Sequence, residues 1–179
     1  MEMISLRTII DTLQDYSSSE QSRYEAICKL GIIGDPKAIE PLITALNDTD
    51  EDVRLAAKRA LSKISDPRIV RLLIAALSDK DKDIRASMAE ALGEIGGSKA
   101  VNALIVALND TDEDVRLAAI EALCEIGGSK AVEPLIIALS YMDEDSRENL
   151  KNALNKIDDP SLEEQIIEAL NDAEDNDFY

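Results

Sequence analysis

The string NDTDEDVRLAA stands at Asn47–Ala57 and again, letter for letter, at Asn109–Ala119. Four acids in five residues, Asp48, Asp50, Glu51 and Asp52, pose a choice between a cation-binding loop and a repeated piece of scaffold. The surroundings decide it. Arg54 and Arg116, inside the two copies, belong to a series with Arg23, Arg85 and Arg147, each 31 residues from the next. Self-similarity at a fixed period of this length is the mark of tandem structural repeats.

Written in that frame, the chain aligns DPKAIEPLITALNDTDEDVRLAAKRALSKIS (35–65), DPRIVRLLIAALSDKDKDIRASMAEALGEIG (66–96), GSKAVNALIVALNDTDEDVRLAAIEALCEIG (97–127) and GSKAVEPLIIALSYMDEDSRENLKNALNKID (128–158). Residues 1–34 form a diverged first repeat, in which Leu6, Ile9, Ile10 and Leu13 keep the apolar pattern if the loop at Tyr16–Ser19 holds two extra residues. Residues 159–170 read as the first half of a sixth repeat, and 171–179 as an acidic C-terminal tail. No Pro/Gly/Ser-rich break interrupts the period, so a single repeat domain is expected over 1–170.

Each repeat reads as two helices. Ile39, Leu42, Ile43 and Leu46 fall at i, i+3, i+4 and i+7, and the row recurs as Val70/Leu73/Ile74/Leu77, Val101/Leu104/Ile105/Leu108 and Val132/Leu135/Ile136/Leu139. Asp35-Pro36, Asp66-Pro67 and Asp159-Pro160 mark helix starts, a capping carboxylate followed by a proline whose missing N–H costs nothing in the first turn. Ser98 and Ser129 are the expected caps of the other two first helices, and Pro41 and Pro134 should bend or delay theirs. The second helices carry Val53/Ala57/Ala60/Leu61/Ile64, Ile84/Met88/Ala91/Leu92/Ile95 and Val115/Ala119/Ala122/Leu123/Ile126 on their core faces. Asp50, Asp81, Asp112 and Asp143 stand where their N-caps belong, with Ser19 in that place in the first repeat. Gly96-Gly97 and Gly127-Gly128 read as C-cap turns. One hairpin cannot bury its apolar face alone, whereas stacked hairpins share a continuous core. The expected fold is all-α, an α/α superhelix (solenoid) of about five and a half 31-residue helix hairpins.

Composition agrees. Of 179 residues 45% are hydrophobic and only 3% aromatic, without Trp, so the core is built from Leu, Ile, Val and Ala. A net charge of −18 repels phosphate backbones and anionic headgroups, which argues against nucleic-acid and membrane partners. Two lone cysteines, Cys28 and Cys124, without metal spacing, and no apolar run long enough to cross a bilayer, point to a cytoplasmic protein.

These residues resemble the short HEAT-like repeats of the phycobilisome-lyase type, whose pattern is DPxAVxxLIxAL, an Asp-containing turn, and a helix reading D/E-x-V-R-x-x-A-x-x-A-L-x-x-I-G. Residues 35–158 follow it almost throughout. The resemblance implies an armadillo-like helical architecture and says little about function. It also implies an Asp–Arg ladder between neighbouring repeats, here Asp48, Arg54, Asp79, Arg85, Asp110 and Arg116. A recurring Arg in a helix's first turn, where the macrodipole disfavours a cation, needs carboxylate partners of this kind. Tyr141 replaces the Asp of the fifth repeat, so the ladder should fail or change there.

The acidic turn also imitates the start of an EF-hand calcium loop, with Glu90 and Glu121 at the twelfth position in two copies. Position six, however, holds Val53, Ile84 or Val115 where that loop needs Gly, and Arg59 takes position twelve in the first copy. No metal is expected. The chain has no His, which removes imidazole chemistry and the His-Glu metal pairs of iron-dependent hydroxylases built from similar repeats. The basic groove of HEAT-like DNA glycosylases does not fit the acidic charge. Neither a phosphate-binding Gly loop nor a convincing carboxylate pair is present, and Cys124 stands where Ser62 and Gly93 mark close helix packing. No catalytic residue and no cofactor is expected.

The remaining candidate is surface. Second helices line the concave side of such stacks, and their non-core rows vary between repeats while the core rows hold. Tyr24, Leu55 and Leu117 are candidate apolar anchors, with Arg59, and Glu90, Glu94, Glu121 and Glu125 form an acidic patch. The expectation is a non-enzymatic scaffold that binds a protein or peptide carrying basic residues. The alternative is a bilin-lyase-like subunit handling a linear tetrapyrrole.

Overall fold

The computed structural model describes residues 5–64 and 66–127, with single positions beyond them at 135, 136, 144, 147, 148, 150, 164, 167 and 168. The described residues are all-α. In chain order they form α1 (Leu6–Gln14), α2 (Glu20–Ile33), a 3-10 turn (Pro36–Ala38), α3 (Ile39–Ala45), α4 (Glu51–Lys63), α5 (Arg68–Ala76), α6 (Lys82–Ile95), α7 (Ser98–Ala107) and α8 (Glu113–Ile126). Helices alternate between the first and second members of the repeat, as the 31-residue frame requires.

The chain falls into two compact units, Met1–Leu73 and Ile74–Tyr179. The boundary falls inside α5. In the first unit α1 packs on α2, α2 on α4 and α3 on α4; in the second, α6 packs on α8, and α7 on both. Ile27, Leu30, Leu42, Val53, Ala57 and Leu61 are fully buried in the first core, and Leu92, Leu104, Val115, Ala119, Ile120 and Leu123 in the second. Side chains three and four residues apart share a helix face, and that face meets its neighbour. Truncating one such leucine, Leu104→Ala, removes contacts that the surroundings only partly refill, a cost of about 2–5 kcal/mol.

Local chemistry sets the helix ends. Ser19, Asp50, Asp81 and Asp112 cap α2, α4, α6 and α8 by accepting a backbone N–H of the first turn, and Asp35 and Asp66 do the same ahead of the 3-10 turn and α5. Ser5 caps α1 by accepting the Thr8 N–H. Pro41 lies near the start of α3, and the chain before it runs as the 3-10 turn, so the α-helix begins only at Ile39. At the other end Gly34, Gly96 and Gly127 take φ of 64°, 68° and 61° and donate to the carbonyls of Leu30, Leu92 and Leu123. A side chain at such φ is strained, which is why glycine recurs there.

Two expectations need correction. Ser98 is the first residue of α7 and not its cap: Gly96 and Gly97 both have positive φ, the chain turns within two residues, and Gly97 occupies the cap position without a side chain. In α5 the buried pair is Ile69 and Leu73, with Val70, Ile74 and Leu77 only half-buried. Residues three and four before Leu73 both neighbour it on the helix surface, and the Asp66-Pro67 start brings Ile69 inward. Ile10, Ile43, Ile84, Ile95, Ile105 and Ile126 are likewise half-buried, at the margins of their faces. Of the fifth repeat, Leu135 is buried and Ile136 half-buried. The expectations for Gly128, Ser129, Val132, Pro134, Leu139, Tyr141, Asp143, Asp159 and the tail 171–179 lie outside the described residues.

Candidate functional site

The acidic turn is occupied by arginine. Arg23 Nε donates to Asp48 Oδ2 at 2.7 Å and Nη2 to Oδ1 at 2.8 Å, with both side chains almost wholly buried. Asp48 Oδ1 also accepts the Asp50 N–H, while Arg23 Nη1 donates to the Ser18 carbonyl. The second unit repeats the arrangement: Arg85 Nε and Nη2 donate to Asp110 at 2.8 Å each, Nη1 donates to the Asp79 carbonyl, and Asp110 Oδ1 accepts the Asp112 N–H. Each arginine therefore ties its own turn to the aspartate 25 residues on, with the fork geometry that suits guanidinium and carboxylate.

Arg54 and Arg116 add the other half of the motif, their Nη1 groups donating to the carbonyls of Asp48 at 2.8 Å and Asp110 at 3.1 Å. Burial, the largest single influence on the Asp48 carboxyl, would raise it, but the bonds from Arg23 and the Asp50 amide outweigh burial and hold it below its ordinary value. The bond from Arg85 does the same for Asp110. Arg23 is the member that sequence spacing had not placed in the ladder, although it stands in the 31-residue series. Loop position six of the calcium-like string, Val53, is a fully buried core side chain.

The candidate binding residues fall in two groups. In the first unit, Tyr24 on α2 is 39% exposed, and the neighbouring Cys28 thiol raises its hydroxyl; the Asp52 charge adds to this and the Arg59 charge opposes it. Tyr24, Cys28, Asp52 and Arg59 are thus neighbours across α2 and α4. Leu55 beside them is half-buried. In the second unit, Glu90, Glu121 and Glu125 are exposed and Glu94 and Leu117 half-buried on α6 and α8. Glu90, Glu121 and Glu125 each interact with a neighbouring group.

These two helices approach closely because Gly93 has no side chain. A Cβ there would stand 2.8 Å from the Ala122 Cβ and 3.2 Å from the Glu125 carboxylate, so Glu125 leans over α6. Gly31 makes the looser equivalent approach to Ala60 in the first unit. Cys124 is buried, and burial together with the Glu121 charge pushes its thiol up to about 12, which makes it packing material and not a nucleophile. Cys28 is exposed. Among the described residues no helix is long and apolar enough to cross a membrane.

Among solved structures, the phycocyanin lyase complex of CpcE and CpcF from a Nostoc species is similar over 92% of this chain and 96% of its own, at 21% identity and a TM-score of 0.50. An engineered protein is similar over 97% and 98%, at 20% identity and 0.46. A designed armadillo repeat protein in complex with the peptide (KR)4 is similar over 95% and 100%, at 16% identity and 0.40. At these identities the likeness is one of fold, the all-α helical repeat. No curated protein matches the sequence. The sequence pattern of HEAT repeats matches residues 6–77 and again residues 69–141, and the chain belongs to the HEAT-repeat family.

Proposed function

We propose that the protein is a non-enzymatic scaffold of the cytosol that binds a protein or peptide on the exposed faces of its second helices. One observation carries this reading. Positions that pack are nearly invariant from repeat to repeat, while the exposed position that is Arg59 in α4 becomes Glu90 in α6 and Glu121 in α8. A face freed from packing, whose charge turns from Arg59 to Glu90 and Glu121 along the repeats, is what a sequence-selective docking surface requires. On α6 and α8 the carboxylates of Glu90, Glu94, Glu121 and Glu125 favour a partner segment carrying Lys or Arg, and Leu117, one turn before Glu121, supplies apolar contact. On α2 and α4, Tyr24 and Leu55 serve as anchors beside Arg59.

The test is binding of a labelled Lys/Arg-rich peptide to the full chain, compared with Leu117→Glu and Glu121→Lys. Weaker binding by both variants, with melting unchanged, supports the reading; equal binding by all three proteins overturns it. A pull-down from the native lysate with the same variants then identifies the partner. The alternative, handling of a linear tetrapyrrole, has in its support a fold shared with the phycocyanin lyase complex. Addition of bilin with no change in its absorbance spectrum would remove it.

A further inference from the structure

The first unit has a hollow formed by the 3-10 turn, α3 and α5, with a volume of about 770 Å³. That lies within the range of binding clefts, about 300–1,000 Å³. Its apolar part is made by Pro36, Ile39 and Leu72, and Leu72 is exposed although it is a leucine in the middle of a helix. Its cationic part is made by Lys37, Arg68 and Arg71. Against these stand the lining acids Asp35 and Glu40, and Asp66 paired with Arg68, an even local balance in a chain of net charge −18.

The acids are not equivalent. Asp35 is committed to the Lys37 backbone N–H as a cap, whereas Glu40 sits on α3 at the rim. Arg68 is fixed in place by Asp66, which takes its Nε at 3.0 Å and its Nη2 at 2.7 Å and leaves Nη1 over. Arg71, three residues further along α5, shares that helix face. Among the described residues neither Lys37 nor Arg71 makes a direct ion pair, although the Arg71 charge is felt by the Asp66 carboxyl. The hollow therefore offers an apolar floor with unspent donors beside it, one of them held rigid.

We infer that this hollow docks an acidic segment of a partner protein, seating one bulky apolar side chain on Pro36 and Leu72 while flanking carboxylates meet Lys37 and Arg71. Its preference is opposite in charge to that of the Glu90 and Glu121 face, so the two surfaces take different segments. Glu40 works against the occupant and limits its affinity.

The test uses the full chain and two fluorescein-labelled peptides, EEDLEEF and KKRLKKF, followed by fluorescence anisotropy. The acidic peptide should bind, more weakly as salt rises, and Lys37→Glu/Arg71→Glu should weaken it by about tenfold, the effect of two exposed attractions turned into repulsions. Glu40→Gln should tighten it, a result that a merely structural role of the patch would not produce. Glu121→Lys should leave it unchanged, which separates this site from the second-helix face. Equal binding of both peptides, or indifference of the acidic one to Lys37→Glu/Arg71→Glu and to Glu40→Gln, overturns the proposal.

Discussion

Asp48 is held by two arginines at once: Arg23 grips its carboxylate with bonds of 2.7 and 2.8 Å, and Arg54 reaches back to its carbonyl at 2.8 Å. Asp110 stands in the same relation to Arg85 and Arg116. A residue that looks like a calcium ligand in the sequence is thus the joint between one hairpin and the next.

Breaking that joint from one side should be costly. Arg23→Met leaves the Asp48 carboxylate buried without its main partner, and the loss of one member of a buried ion pair costs about 3–5 kcal/mol. Arg23→Met/Asp48→Asn should lose less than the sum of the two single replacements, because the stranded charge is gone. Urea denaturation of the four proteins of this cycle measures the coupling. Strict additivity would show that the pair contributes nothing to stability.

The same carboxylates set a pH dependence. Asp48 and Asp110 have folded pKa values below the ordinary 3.8, so between the folded and unfolded values the unfolded chain binds more protons. Their contribution is complete above the unfolded value and is lost as pH falls through the folded one. Melting temperature should therefore fall from about pH 5 towards pH 2, and less steeply in Asp48→Asn/Asp110→Asn than in the wild type.

Gly93→Ala sets two effects against each other. Helix propensity favours alanine by about 1 kcal/mol. Overpacking costs about 1–3 kcal/mol, and here the new methyl would meet backbone as well as side chain, at 2.9 Å from the Ala122 Cα. The clash wins, and the variant should melt lower. At Gly31 the Ala60 Cα is 3.2 Å away, so Gly31→Ala should fall closer to neutral. Paired thermal melts decide the order.

Thiol labelling should separate the two cysteines. At about pH 8 the native chain should take up one equivalent of iodoacetamide, on exposed Cys28, and a second only after unfolding, because Cys124 is buried and its thiolate strongly disfavoured. Labelling of Cys124 in the folded protein, read by peptide mass, would contradict its burial on α8.

The period of 31 made the helices legible, since the capping aspartates Asp50, Asp81 and Asp112 and the buried rows of α4 and α8 follow from it. What escaped was set by contacts that periodicity does not contain. Val70 and Ile69 are both plausible inward residues beside Leu73, and only the turn at Asp66-Pro67 chooses Ile69. Ser98 follows two glycines whose positive φ values let the helix start without a side-chain cap. Arg23 had its place in the series, but its carboxylate lies in the next repeat, and a pairing at a distance of 25 residues is visible only once hairpins are packed. Of the candidate surface, exposure of Glu90, Glu121 and Glu125 was readable, as it follows from helical phase. The lean of Glu125 over α6 was not, as it depends on the missing side chain of Gly93. The hollow around Arg71 was equally hidden, because its parts come from two repeats.

The reach of each arginine, backward to its own turn and forward to an aspartate in the following hairpin, also limits how such a chain can change length. Inserting or deleting a whole 31-residue segment carries every donor and acceptor along and leaves each with a counterpart. A segment of any other size moves a guanidinium away from the carboxylate that neutralises it and leaves charge in the interior. Growth by duplication is thus stepwise, and NDTDEDVRLAA, present twice without a single difference, has the form that such a step would leave behind.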